Sequence, residues 1–176
     1  MSIKGFGFAV GIMVGLVLVV VLFKMANTNN RIKTEYDERQ EKIRGKAYRY
    51  AFYTTVICQA IVMTLSVGQI DLPIQDYVLQ FASVLAGCTV LGVYCIWNDV
   101  YWGLNNDPKK YLIIFVIALA LNAFAAIGSI VGGGIMEDGK LGLPMLNIMV
   151  IIMMLIVCIE LIIKQCIDRT SEAGED

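Results

Sequence analysis

The chain contains no histidine and only three prolines among its 176 residues. Without histidine it lacks the commonest side-chain ligand of metals and the usual general base of catalytic triads. Its five cysteines include no Cys-x-x-Cys pair, which would be another sign of a metal site. No Walker loop, dinucleotide-binding fingerprint, HExxH or GxSxG motif occurs. The sequence therefore predicts no catalytic, metal or cofactor site, and we expect the protein not to be an enzyme.

Apolar sequence, in contrast, is abundant. Hydrophobic residues make up 58% of the chain and charged residues 16%, and the mean hydropathy is +0.71. A helix needs about 20 mainly apolar residues to cross the hydrocarbon of a bilayer. Five stretches meet this condition and predict an all-α, polytopic membrane protein, with residues 1–176 forming a single domain. The predicted spans are Gly5–Phe23, Tyr50–Ile70, Tyr77–Trp97, Tyr111–Val131 and Leu143–Ile163.

The positions of lysine and arginine predict the orientation, because cytoplasmic loops collect these residues. Eight of the fourteen lie between the first two spans, two lie between the third and fourth, and two follow the fifth. Only Lys4 and Lys140 fall on the opposite side. We therefore expect the N-terminus outside and the C-terminus inside. No small-x-small cleavage site follows the first span, so we interpret it as a retained anchor; cleavage would leave four spans.

Residues 35–49 predict a cytoplasmic juxtamembrane helix that continues into the second span. The segment contains no proline, and Glu38 precedes Lys42 at the i,i+4 spacing that supports a helix. Its basic residues Arg39, Lys42 and Arg44 are candidates for contact with a cytoplasmic protein. Anionic lipid is an alternative ligand, although interspersed acids would weaken the attraction. The same acids argue against nucleic acid as a partner.

Gly7, Gly11 and Gly15 form a tandem GxxxG pattern on the first span. Glycine lets two helix backbones approach closely in lipid, where van der Waals contact drives association. The pattern predicts a helix-packing surface. Its partner would be a second copy, another membrane protein or another span of this chain.

Three polar side chains fall inside the predicted spans, namely Gln59, Asn122 and Glu160. A polar group in hydrocarbon needs a partner, so we expect each to face the interior of the bundle. An interhelical hydrogen bond, for example between the two amides, and pairing of Glu160 with Lys164 would satisfy them. The alternative is a polar path or binding site in a small transporter or channel.

The connections between spans show several turn signals. Asn105-Asn106-Asp107-Pro108 predicts a turn on the inside. The polar stretch 27–30 and the glycine-rich residues 132–134 and 139–144 predict flexible connections.

Residues 34–40 read TEYDERQ, and residues 44–48 read RGKAY before an aromatic entry into a span. This pattern is similar to that of small uncharacterised multi-span membrane proteins of Gram-positive bacteria, grouped as domains of unknown function. It covers about a tenth of the chain. The resemblance implies a protein of the bacterial inner membrane, and it transfers no activity and no catalytic residues.

Two functions from different classes fit these observations. The first is a small accessory or regulatory subunit that lies in the lipid bilayer and contacts a membrane-protein partner or a second copy. It would act through helix packing and the juxtamembrane helix. The second is a small oligomeric transporter or channel that uses Gln59, Asn122 and Glu160.

Overall fold

A computed structural model describes residues 13, 17–22, 24–29, 32–132 and 134–172 of the chain. Within those ranges the fold is helical apart from one two-stranded hairpin. The elements in chain order are α1 (Val17–Ala26), α2 (Glu38–Val67), α3 (Asp76–Trp97), α4 (Pro108–Val131), β1 (Met136–Glu137), β2 (Lys140–Leu141) and α5 (Pro144–Glu172).

Among the described residues, four helices are long and apolar enough to cross a membrane, namely α2, α3, α4 and α5. They overlap the second to fifth predicted spans, and the expectation of an all-helical protein is confirmed. Such helices are typical of an integral membrane protein. The first predicted span, Gly5–Phe23, lies largely outside the described residues, and α1 is a shorter apolar helix.

Helix α2 joins the juxtamembrane segment to the second span without a break. It begins at Glu38, three residues later than predicted, and continues for 30 residues. Glu38 and Glu41 lie in its first turn, where the partial positive charge of a helix N-terminus favours acids. The predicted pair forms, with Lys42 Nζ 2.7 Å from Glu38 Oε1. At about 1.5 Å per residue α2 is about 45 Å long, so it exceeds the roughly 30 Å of bilayer hydrocarbon.

The chain divides into two compact units. The first comprises residues 1–37 and 102–117, and the second comprises residues 38–101 and 118–176. In the second unit α3 packs against both α2 and α5. Its small core contains Ala47, Cys95 and Val100, which are at most 1% exposed.

A close approach of two backbones sets the packing of α2 against α3. Gly87 faces Ala51 and Thr55, and a Cβ atom at position 87 would overlap Thr55 Oγ1 and lie 2.9 Å from the Ala51 carbonyl oxygen. Close contact of this kind brings van der Waals attraction that larger side chains would prevent. Gly87 is therefore a helix-packing residue, whereas the GxxxG pattern predicts a packing surface on the first span.

The connection before α5 is an ordered hairpin, so the prediction of a flexible loop over residues 139–144 is wrong. Met136 pairs with Leu141 and Glu137 with Lys140. Asp138 and Gly139 form the turn with φ angles of 51° and 78°. Two consecutive positive φ values match the twist of antiparallel strands, and Asp-Gly is a preferred pair for such a turn.

We expect Gly87→Ala to lower the free energy of unfolding by about 1–3 kcal/mol, because the added methyl group has no space between α2 and α3. The control is Gly45→Ala on α2, where a Cβ atom would meet nothing within 4 Å. That substitution should leave stability unchanged or raise it by up to about 1 kcal/mol. Reversible unfolding in mixed micelles measures both effects, and equal stability of the two variants would contradict the close approach.

Candidate functional site

The charged start of α2 presents two of the three basic residues predicted to contact a partner. Arg39 and Lys42 are exposed, and the Lys42 side chain keeps 73% of its surface accessible even though it pairs with Glu38. The pair itself lies in solvent and contributes little to stability. Both cations are therefore accessible to a ligand or a protein.

Arg44, the third predicted contact residue, has turned toward the core. Its Nη1 donates a hydrogen bond of 3.1 Å to the Val100 carbonyl oxygen and lies 3.9 Å from Cys95 Sγ. Its Nη2 donates to Tyr48 Oη at 3.1 Å, and the guanidinium carbon lies 5.6 Å from the centre of the same ring. Arg44 thus fastens α2 to the segment that follows α3, which makes it a structural residue.

Apolar surroundings raise the pKa of Tyr101, which lies beside this core. Tyr101 packs against Ala47, Cys95 and Val100. Burial raises the pKa of Tyr101, and the nearby Arg44 guanidinium opposes that shift only in part. The phenol is therefore neutral at physiological pH.

The two amides inside the predicted spans bind backbone carbonyls rather than each other. Gln59 Nε2 on α2 donates to the Gln80 carbonyl oxygen on α3 at 3.1 Å. Asn122 Nδ2 donates to the Ala118 carbonyl oxygen one turn earlier on α4 at 2.9 Å. Gln59 is hence an interhelical tie, whereas Asn122 is satisfied within its own helix.

Glu160 on α5 is bonded to α3. Its Oε2 accepts a hydrogen bond of 2.8 Å from Trp97 Nε1. The expected pair with Lys164 is absent among the described residues, because Lys164 Nζ lies 2.8 Å from Asp168 Oδ1 and 3.2 Å from Asp99 Oδ1. Asp99 has a positive φ of 58° just after α3 ends. One lysine thereby bridges two carboxylates, and Glu160 has an indole donor in place of a cation.

The first unit contains a cluster of asparagines that no sequence pattern predicts. Asn105 is 5% exposed, and its Oδ1 accepts the Glu35 backbone N–H at 2.8 Å. Its Nδ2 donates to the Lys33 carbonyl oxygen at 3.0 Å and to Asn29 Oδ1 at 3.2 Å. One amide side chain thus holds the polar stretch after α1 through three hydrogen bonds.

Asn27 and Asn106 form the second half of this cluster. Asn27 is fully buried, and its Oδ1 accepts hydrogen bonds from Asn106 Nδ2 at 2.8 Å and Tyr111 Oη at 3.0 Å. The prediction of a flexible stretch at residues 27–30 is therefore wrong for its described part. The only sequence signal was the presence of asparagine pairs in two separate loops, and nothing in the sequence joins them.

The buried polar side chains of the described residues are bonded within the protein. Every buried side-chain nitrogen and oxygen atom in the described part of the chain has a hydrogen-bond partner. Over the same residues, no group of three His, Cys, Asp or Glu side chains could hold a metal ion. Gly7, Gly11 and Gly15 lie outside the described residues.

Comparison with known proteins gives no relative. No protein-family model, no curated protein and no solved structure matches the chain.

We expect Arg44→Gln to lower the free energy of unfolding by about 1–3 kcal/mol, because the Val100 carbonyl oxygen loses its charged donor. Lys42→Gln, two residues away on the exposed side, should change it by less than about 0.5 kcal/mol. Unfolding in mixed micelles at one salt concentration compares the two variants. If Arg44→Gln and Lys42→Gln lowered the free energy of unfolding equally little, the structural role of Arg44 would be contradicted and it would again be a candidate for contact with a partner.

Proposed function

We propose that this chain is a multi-span protein of a bacterial cell membrane, with five spans, the N-terminus outside and the C-terminus inside. The four long apolar helices of the described part support a location in a membrane, and the resemblance at residues 34–48 is the basis for a bacterial one. The apolar run at residues 5–23 supplies the first span in this proposal and brings the total to five. The orientation rests on twelve basic residues on one side against two on the other.

Its proposed role is that of a small accessory or regulatory subunit, which acts by contact with another membrane protein or with a second copy. One observation carries this proposal. The polar side chains inside the spans are satisfied within the protein, whereas Arg39 and Lys42 stand exposed at the charged end of α2.

A conduit would need the opposite arrangement, since polar groups that handle a substrate face a water-filled cavity. Gln59 and Asn122 instead bind backbone carbonyls, which leaves them the role of packing groups. Removing such bonds from a membrane bundle costs about 0.6–2 kcal/mol in stability. These contacts favour a scaffold over a pathway.

The proposed contact surface has a cytoplasmic part and a membrane part. The first turns of α2 extend beyond the hydrocarbon, because the helix is about 15 Å longer than that layer. They carry Arg39 and Lys42 on the same continuous helix that forms the second span. In the membrane, the glycines at positions 7, 11 and 15 remain the predicted packing surface of the first span.

Capture of the tagged full chain in gentle detergent, followed by native mass determination, tests this role. We expect a second protein in fixed proportion. Reversing two charges in Arg39→Glu/Lys42→Glu should lower its recovery at least about tenfold, as expected when charge pairs worth 1.4 kcal/mol or more are replaced by repulsion.

The control is Lys109→Glu/Arg169→Glu, which makes the same change of net charge at exposed residues predicted on the same side. Recovery of the partner should be normal in that variant. An eluate that contains only this chain, as a monomer or a homo-oligomer, would contradict the role of a subunit for a foreign protein.

A small transporter or channel is the second candidate, and Glu160 is the observation that favours it. A carboxylate inside a span is a ligand for protons or cations by default. Here it has an indole donor at 2.8 Å, so no counter-charge from Lys164 neutralises it.

Proton and sodium flux into vesicles that contain the purified protein separates the two candidates. The accessory role predicts flux equal to that of empty vesicles for both the natural chain and Glu160→Gln. The glutamine keeps an oxygen that can accept from Trp97, so the fold should persist. Flux that requires the natural chain and disappears in Glu160→Gln would favour transport instead.

A further inference from the structure

The charges at the start of α2 are sorted onto different faces of the helix. Arg39, Lys42, Lys46 and Arg49 are all exposed and follow one another at spacings of three and four residues, which place them in one stripe. Tyr53 continues the stripe and is 55% exposed. We call residues 39, 42, 46, 49 and 53 the basic stripe.

The core lies on the other side of the helix. Ala47 is fully buried, Val62 is 9% exposed, and Thr55 lies against Gly87 of α3. With 3.6 residues per turn, these three residues lie on the side of the helix opposite the basic stripe. Within the second unit, the stripe is therefore the face of α2 that is turned away from the core, and we call this face outward.

Acids do not neutralise the inner half of this stripe. Glu38 pairs with Lys42, and Glu41 does not share the spacing of the stripe. Within the part of the chain that the structure describes, no side-chain hydrogen bond or ion pair reaches Lys46 or Arg49. Like charges three residues apart repel each other on a helix, so an anion between Lys46 and Arg49 would relieve an unfavourable interaction.

An apolar groove continues the same face toward the middle of the span. This groove is open rather than enclosed, and all of its lining residues lie on α2, namely Ile57, Ala60, Ile61, Thr64 and Leu65. Ile57 and Ile61 are 60% and 55% exposed. Since residues 53, 57, 60 and 64 keep the spacing of the stripe, the groove begins where the basic stripe ends.

We propose that the outward face of α2 binds one anionic phospholipid, with Lys46 and Arg49 on its phosphate and an acyl chain in the apolar groove. The order of groups along the helix matches such a lipid: cations, then an aromatic hydroxyl at Tyr53, then apolar side chains. Tyrosine is enriched at the level where headgroup and hydrocarbon meet.

The distances along the helix axis fit the same ligand. Ile57 lies about 12 Å and Leu65 about 24 Å beyond Arg49, at 1.5 Å per residue. One leaflet contributes about 15 Å of hydrocarbon, so a chain that starts at a phosphate near Arg49 reaches the near end of the groove at Ile57 and stops short of Leu65. A free phosphate would occupy only the cationic end.

The lipid site is distinct from the contact proposed for the accessory role. Arg39 lies about 15 Å along the axis from Arg49, on the side away from the groove. The inference therefore goes beyond the proposed function, and substitutions at different positions of the stripe test the two.

The test uses the purified full chain in phosphatidylcholine vesicles that contain a trace of spin-labelled phosphatidylglycerol or spin-labelled phosphatidylcholine. The restricted component of the spin-label spectrum measures association of each lipid with the protein. We expect phosphatidylglycerol to be preferred. The preference should fall by about fivefold for each charge removed in Lys46→Gln/Arg49→Gln.

Two controls sharpen the result. Arg39→Gln/Lys42→Gln removes the same charge farther from the groove and should keep most of the preference. Ala60→Trp fills the groove without changing charge and should weaken association of phosphatidylglycerol. An excess of inorganic phosphate should not displace the labelled lipid.

A photo-reactive amino acid at position 57 identifies the occupant in native membranes. Attachment of an anionic phospholipid supports the proposal, whereas attachment of a zwitterionic lipid, of a second copy or of another protein overturns it. Equal association of the two lipids would overturn it as well, and so would a preference that survives Lys46→Gln/Arg49→Gln or is abolished by inorganic phosphate.

Discussion

Bilayer hydrocarbon offers no hydrogen-bond partner, and this constraint governs the polar groups of the long apolar helices. Each helix satisfies its own backbone. The hydroxyls follow the same rule, because Thr55, Thr64, Ser83 and Thr89 each donate to the carbonyl oxygen one turn earlier. Asn122 does the same with its amide. Polar side chains can therefore occur on apolar helices without any pathway for a substrate.

The lipid surroundings also determine how the helices pack against one another. Lipid tails are as apolar as leucine, so helices gain little from hiding large side chains and more from close contact. The contact of α2 with α3 uses Gly87 in this way. Between α3 and α5, a Cβ atom added at Gly92 would lie 3.5 Å from Val157, which is an ordinary contact distance, so this approach does not require glycine. Directional bonds at the helix ends then add to these contacts. Arg44 links α2 to the segment after α3, and Trp97 links α3 to α5.

Hydropathy and spacing predict the features that depend on neighbours in the sequence. The four long helices, the uninterrupted α2 and the pair of Glu38 with Lys42 all follow from runs and i,i+4 relations. The five-span count and the orientation rest on sequence arguments and remain predictions. The hairpin turn also depends on neighbouring residues, since Asp138-Gly139 is a pair that favours such turns. The prediction was wrong because the surrounding glycines indicated a flexible connection.

Features that depend on distant partners could not be predicted in the same way. Arg44, Gln59 and Glu160 each had several partners within reach of a plausible bundle. The choice among them depends on how the helices turn about their axes. Gln59 is bonded to a residue 21 positions away and Glu160 to one 63 positions away. Residue types alone carry no information on such separations.

The asparagine cluster has a consequence for synthesis of the chain. Asn27 is fully buried, yet its partner Asn106 lies 79 positions later. At typical elongation rates of 5–20 residues per second, about 4–16 s separate the two on the ribosome. During that interval two long helices, α2 and α3, are made while the amide of Asn27 waits without its partner. The nascent protein therefore passes through a stage in which the residues of α2 and α3 have been synthesised, whereas the hydrogen bond between Asn27 and Asn106 has not yet formed.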